Sequence, residues 1–286
     1  MKGIIFFLLV ATATAEIIGN FKEYEVHHYT LEGPSSDTIY DFYGDARIIN
    51  GSDASPGQFP FVARLSITRR DPNTGSTSGT LCTGSLIHEQ FALTASHCIN
   101  PNPTWVTNVA FLIGTVNRNV PGTTVNSAEF WFLEHPQTLV MDIAMFRFAQ
   151  PIVRTALIDF IRIPSRVQTN YEFVGWPVTT IGWGVDNTGS TAVHLQFANF
   201  AVVSIRVCGD RFTEYEICYV EDGTNALVRP GDSGAPVIVR EGDHMTQVGV
   251  HAGRRTLGTL SFHSAARIST FLDWIHEFSG IPIRDS

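Results

Sequence analysis

Pro230-Gly231-Asp232-Ser233-Gly234-Ala235-Pro236 is the segment on which the reading of this chain turns. Glycine on either side of Asp-Ser lets the backbone bend sharply and present its N–H groups outward. Taken alone, the segment is an ordinary glycine-rich turn. Two earlier segments change its meaning. Leu93-Thr-Ala-Ser-His97-Cys98 sets a histidine beside a cysteine, and Met141-Asp142-Ile143-Ala144-Met145 sets a carboxylate in an apolar run. A carboxylate among buried residues must find a partner, because an unpaired buried charge is costly. His97, Asp142 and Ser233 follow one another at separations of 45 and 91 residues. A histidine placed by a carboxylate beside a serine is the arrangement that makes a weakly acidic hydroxyl nucleophilic.

Outward from these segments, short apolar runs alternate with turn signals. The runs are 59–68, 85–94, 109–113, 130–133, 143–148, 178–181, 197–205, 236–239 and 247–251, punctuated by Gly/Pro-rich stretches at 71–75, 100–103, 120–122 and 186–189. Many short strands with such punctuation predict an all-β barrel or sandwich. One helix is expected near the end, where Ser269 can cap a segment carrying Phe271, Leu272, Ile275 and Phe278 on one face and Gly280-Ile-Pro stops it.

The 286 residues are 44% hydrophobic and only 16% charged, which excludes a disordered chain and a coiled coil. A net charge of −8 excludes a generally basic nucleic-acid binder. Lys2, the apolar run 4–10 and Ala13-Thr14-Ala15 read as a signal peptide over 1–15, so a secreted, extracellular protein is expected. No stretch reaches the length of apolar residues that a membrane span needs. Residues 16–47 are acidic and show no clear period, and are expected to lack structure up to Arg47-Ile48. The four cysteines, Cys82, Cys98, Cys208 and Cys218, allow three pairings, and spacing does not choose among them. Neither C-x-x-C nor H-E-x-x-H occurs, so no metal and no cofactor is expected.

With the three segments in this order, the chain resembles the chymotrypsin-like (trypsin-type) serine endopeptidases. Arg-Ile-Ile-Asn-Gly at 47–51 is similar to the family's activation site. The motifs at 81–87, 93–98, 142–148, 182–184 and 231–236 fall in the family's order, and the ending at 266–275 looks like its C-terminal helix. The propeptide and the ending are most similar to arthropod chymotrypsin- and collagenase-like members. The resemblance implies two six-stranded antiparallel β-barrels with a C-terminal helix, in a catalytic domain over 48–286 behind an activation propeptide over 16–47. It implies Ser233 as nucleophile, His97 as base, Asp142 as the group orienting His97, and the N–H groups of Gly231 and Ser233 as the oxyanion hole. It also implies cleavage after Arg47, an ion pair between the new Ile48 amine and Asp232, and the disulfides Cys82–Cys98 and Cys208–Cys218.

Several positions depart from the family pattern. Thr83 and Ser96 stand where many relatives carry Gly and Ala, and Arg229 stands where relatives carry a cysteine of a third disulfide. No pair of acidic residues sits at the family's calcium-loop position, so no calcium is expected. Leu227 replaces the Asp that trypsin-like members use, which disfavours a basic P1 side chain and favours an apolar or aromatic one. His251, with Gly253 after it and His263 on an opposite wall, is similar to the pocket of glutamyl endopeptidases, which gives an acidic P1 as the alternative. A catalytically silent binding homologue is the second alternative. The expected partners are protein or peptide substrates, an activating protease with Arg specificity, and protein protease inhibitors, with no nucleic acid and no membrane, for a monomer.

Overall fold

The computed structural model describes residues 13–21, 24–31, 50–100, 102–134, 141–184, 192–209, 213–223, 226–257 and 260–286. The apolar run of the expected signal peptide and the Arg47-Ile48 bond lie outside the described residues.

The chain opens with β1 (Ala13–Phe21) and β2 (Tyr24–Leu31), an antiparallel hairpin, followed by the short β3 (Ser52–Asp53). Six strands then build a first barrel: β4 (Val62–Arg70), β5 (Thr77–His88), β6 (Phe91–Thr94), β7 (Val106–Ile113), β8 (Thr123–Glu134) and β9 (Ala144–Phe148). Around the barrel the order is β4, β5, β6, β9, β8, β7, and the β7–β4 pairing closes the ring. A second ring repeats the pattern with β10 (Pro177–Gly182), β11 (Gln196–Val203), β12 (Glu216–Glu221), β13 (Pro236–Glu241), β14 (His244–Leu257) and β15 (Leu260–Arg267). Its order is β10, β11, β12, β15, β14, β13, closed by β13 against β10. The two closed six-stranded antiparallel barrels are the expected architecture. Closure pairs the strands of each ring on both sides, except that β8 runs on past β7 and leaves an edge beyond residue 126.

Apolar side chains fill both barrels. Leu65, Ile67, Phe111, Phe130, Phe146 and Phe148 fill the first, and Phe200, Tyr219, Val237 and Val248 fill the second. Phe111 meets Phe146 and Phe148 edge-on at 5.3 and 5.0 Å between ring centres, a favourable aromatic geometry. Disulfides join Cys82 to Cys98 and Cys208 to Cys218, the pairing that the resemblance implies.

Two expectations need correction. Ser269 does not cap the last helix. It lies in a 3-10 turn, Ile268–Thr270, its hydroxyl is buried without a partner, and the helix α1 (Leu272–Ser279) starts after Phe271. Packing of Phe271, Leu272, Trp274 and Ile275 holds the helix in place, and Gly280 ends it in the left-handed region at φ 72°. The stretch before Arg47 is not structureless throughout. β2 lies on β8, with Val26 and Tyr29 buried in the first barrel's core.

Candidate active site

His97 lies in the single 3-10 turn Ser96–Cys98 that follows β6. The turn is held on both flanks. Cys98 is tied to β5 through Cys82, and the guanidinium of Arg69 donates to the carbonyls of Cys98 and Ile99 at 2.6 and 2.7 Å. Burial holds the Arg69 pKa below the ordinary arginine value. Asp142 precedes β9, and the pairing of β9 with β6 (Thr94↔Ala144) carries it beside Ser96. Its Oδ1 accepts from the His97 N–H at 2.8 Å and from the Ser96 hydroxyl at 3.1 Å. Its Oδ2 lies 2.6 Å from His97 Nδ1. Three hydrogen bonds therefore fix the carboxylate, and the proton of a neutral imidazole is held on Nδ1. Burial lowers the His97 pKa, but the hydrogen bond and charge of Asp142 outweigh it and leave it raised above the ordinary 6.5.

Ser233 comes from the second barrel, in the turn before β13, and the first barrel grips it. Thr83 on β5 donates its N–H to the Ser233 carbonyl at 2.8 Å and its hydroxyl to the Gly231 carbonyl at 3.0 Å. The Thr94 hydroxyl donates to the Thr83 carbonyl at 2.7 Å. Gly234, at φ 82°, packs so closely here that a β-carbon would collide with the Thr94 hydroxyl and the Thr83 carbonyl. No hydrogen bond among the described residues uses the N–H of Gly231 or Ser233. The His97 ring and the Ser233 hydroxyl are not hydrogen-bonded to each other. Such contacts are often long before substrate binds.

Asp232 is wholly buried. Its Oδ1 accepts from the Gly184 N–H at 2.5 Å and its Oδ2 from the Arg229 N–H at 3.1 Å. A β-carbon on Gly184 would fall on this carboxylate, so the close approach requires glycine. No Lys, Arg or His side chain among the described residues forms an ion pair with it. Burial raises its pKa to about 7 against the lowering effect of the two backbone hydrogen bonds.

Beside Ser233 opens a pocket of about 310 Å³ lined by Val228, Arg229, Pro230, Ser233, His251, Gly253 and Arg254. His251 Nδ1 lies 2.7 Å from the Tyr219 hydroxyl. Burial, then the neighbouring His263 and His97, hold its pKa well below 6.5, so the ring is neutral and its tautomer sets which of Nδ1 and the Tyr219 hydroxyl donates. His263 does not stand on the opposite pocket wall. It lies behind the pocket, stacked on Tyr219 at 5.3 Å and edge-on to Phe200, and burial lowers its pKa to about 3. Leu227 is half-buried and is not among the lining residues. Sequence reasoning missed Arg69, Tyr219 and Arg254. The paired Arg69-Arg70 at the end of an apolar run was the one available signal. It also passed over the hydroxyls of Thr83 and Ser96, which both reach the site.

A family model described as Trypsin matches residues 48–275. The chain is 28% identical over 256 residues to a collagenase of Hypoderma lineatum, a match covering 83% of this chain and 89% of that protein. It is 27% identical over 267 residues to a chymotrypsin of Phaedon cochleariae, covering 87% and 91%. A solved structure of HL collagenase superposes with a TM-score of 0.70 at 27% identity, covering 82% of this chain and all of that one.

Proposed function

The chain belongs to the trypsin family of serine proteases, and from that premise we propose that it is a secreted endopeptidase, made as a zymogen and activated by cleavage after Arg47. In this reading Ser233 attacks the scissile carbonyl, His97 takes its proton and returns it to the leaving amine, and Asp142 holds the imidazole in the required tautomer. The observation that carries it is the Asp142–His97 pair at 2.6 Å, with Cys98, next to His97, placing its Sγ 3.8 Å from the carbonyl of Ser233. The oxyanion forms against Gly231 and Ser233, where one donor is worth about 2.7–4 kcal/mol of transition-state stabilisation. Asp232 supports the activation step. It is a buried carboxylate without a cation among the described residues, and the ammonium of a newly freed Ile48 would complete it. Leader removal after residue 15 and export belong to the same proposal. Among the described residues no helix is long and apolar enough to cross a membrane.

For the pocket we propose an apolar or aromatic P1 residue. Val228, Pro230 and Gly253 supply apolar wall, and neither carboxylate nor cation partner stands in the lining to receive Lys or Arg. Arg229 and Arg254 favour a second reading, in which an acidic P1 side chain is met by guanidinium and His251. A fluorophosphonate probe should label Ser233 once Arg47-Ile48 is cut and leave the Arg47→Gln chain nearly unlabelled. Labelling of neither form would support a silent binding homologue. Cleavage of a peptide library by the activated enzyme then reads P1. Phe, Tyr or Leu ahead of Arg and Lys is expected. Dominance of Glu or Asp, lost in Arg254→Ala, would establish the second reading, and dominance of Arg would refute both.

A further inference from the structure

β2 is more than a neighbour of the first barrel. β8 pairs with β7 only through residues 123–126, and with β9 through 127–132. Beyond residue 126, the edge of β8 that β7 has left is taken by β2, antiparallel over six residue pairs from Glu25↔Glu134 to Thr30↔Glu129. Three successive pairs in that register are stacked rings: His27 on Phe132 at 4.9 Å, His28 on Trp131 at 4.7 Å and Tyr29 on Phe130 at 4.8 Å. Val26 and Tyr29 are 1% and 5% exposed, and Leu31 packs against the same core. His28 Nε2 also lies 3.2 Å from Glu129 Oε2, whose other oxygen meets Arg147. The three ring pairs and the His28–Glu129 contact add side-chain matching to the backbone pairing of this register.

All of these contacts join residues upstream of Arg47 to residues downstream of it, and none involves the Arg47-Ile48 bond. Residues 16–47 contain no cysteine, and both disulfides lie within 82–218, so no covalent link survives a cut at residue 47. We infer that the cleaved prosegment stays on the active enzyme as a seventh strand of the first barrel, held without covalent attachment by Tyr24–Leu31 on the outer edge of β8. The mature protease is then a two-chain complex. Main-chain pairing supplies adhesion and the alternate side-chain contacts supply selectivity, as in strand addition between separate molecules. The prosegment keeps closed the edge that would otherwise invite pairing with another chain. This inference rests on the activation reading, and its test separates the two.

In the full-length secreted chain, residues 43–47 are replaced by an enteropeptidase recognition sequence, so that the cut frees Ile48 whether or not Arg47 is the natural site. Native mass spectrometry and gel filtration at micromolar concentration then ask where the prosegment goes. One prosegment per catalytic chain is expected, with the amides of residues 129–134 still slow to exchange. Tyr29→Ala should weaken retention by at least about thirtyfold, the scale of a buried aromatic anchor. His28→Ala, a milder change, should shorten residence without preventing folding. Loss of the prosegment from a folded, cut enzyme overturns the inference, as does rapid exchange at 129–134. Retention without any gain of activity on cutting would uphold the docked strand and refute the zymogen reading.

Discussion

Replacing Asp232 by Asn in the uncut chain should change how stability depends on pH. The carboxyl is wholly buried, and its pKa is displaced from 3.8 to about 7, chiefly by burial. The folded state therefore binds this proton more tightly than the unfolded state. Its stabilising contribution is complete below about pH 4 and is lost as pH rises through about 7. At about 1.36 kcal/mol per pH unit, the displacement amounts to roughly 4 kcal/mol, or on the order of 10 °C in Tm. Asn keeps one acceptor for the Gly184 N–H but turns an NH₂ toward the Arg229 N–H, a cost of about 1–3 kcal/mol that does not vary with pH. Chemical denaturation of Arg47→Gln and Arg47→Gln/Asp232→Asn, both uncut, is compared at pH 4 and pH 8. The Asn chain should be the less stable at pH 4 and should gain on its parent by pH 8. Parallel pH profiles would refute the argument. In the cut enzyme the Ile48 ammonium should supply the missing charge, and Asp232→Asn should then be harmful at neutral pH.

Ser233→Ala should leave folding intact and lower kcat by on the order of 10⁴–10⁶, read by single-turnover hydrolysis of a peptide ester; retention of more than about a thousandth of the parent rate would be incompatible with the nucleophile assigned. Thr83→Val removes the donor to the Gly231 carbonyl without changing side-chain volume much. One neutral hydrogen bond, about 0.5–1.5 kcal/mol, predicts a twofold to tenfold fall in kcat with KM held, and a change in KM alone would contradict a positioning role. kcat/KM should fall as pH drops through a midpoint above 6.5, because protonated His97 cannot act as base and Asp142 favours the protonated form. A midpoint at or below 6.5 would show that the Asp142 pair does not control the titration.

The site was legible where chemistry is concentrated in short segments. The Asp-Ser turn, His97 with its cysteine and Asp142 in its apolar run are each ordinary alone and become legible together, in their order. Strands dominated by apolar residues, such as β7 and β9, were legible too. β12 and β15 were not. Glu-Ile-Cys-Tyr-Val-Glu and Leu-Ser-Phe-His-Ser-Ala-Ala-Arg carry polar and small residues because their neighbours in the ring supply the burial. β2 escaped notice because its period is broken and its stacking partners lie about a hundred residues downstream. His263 was misplaced for a related reason. A histidine on a strand beside a pocket can face the pocket or the core, and only the packing of Tyr219 and Phe200 decides. The hydroxyls of Thr83 and Ser96 appeared only as departures from a pattern, since their targets are 148 and 46 residues away.

The grip of β5 on the Ser233 turn has a consequence for biosynthesis. The first barrel carries His97 and Asp142, and its last strand ends at Phe148, before any strand of the second has been made. It holds no nucleophile. Ser233, in turn, has no base or clamp until the second barrel closes against Thr83. A half-made or half-folded chain therefore lacks an assembled site, and in the zymogen reading even a complete one stays idle until Arg47-Ile48 is cut. In that reading assembly and cleavage are two successive gates, the first spatial and the second covalent.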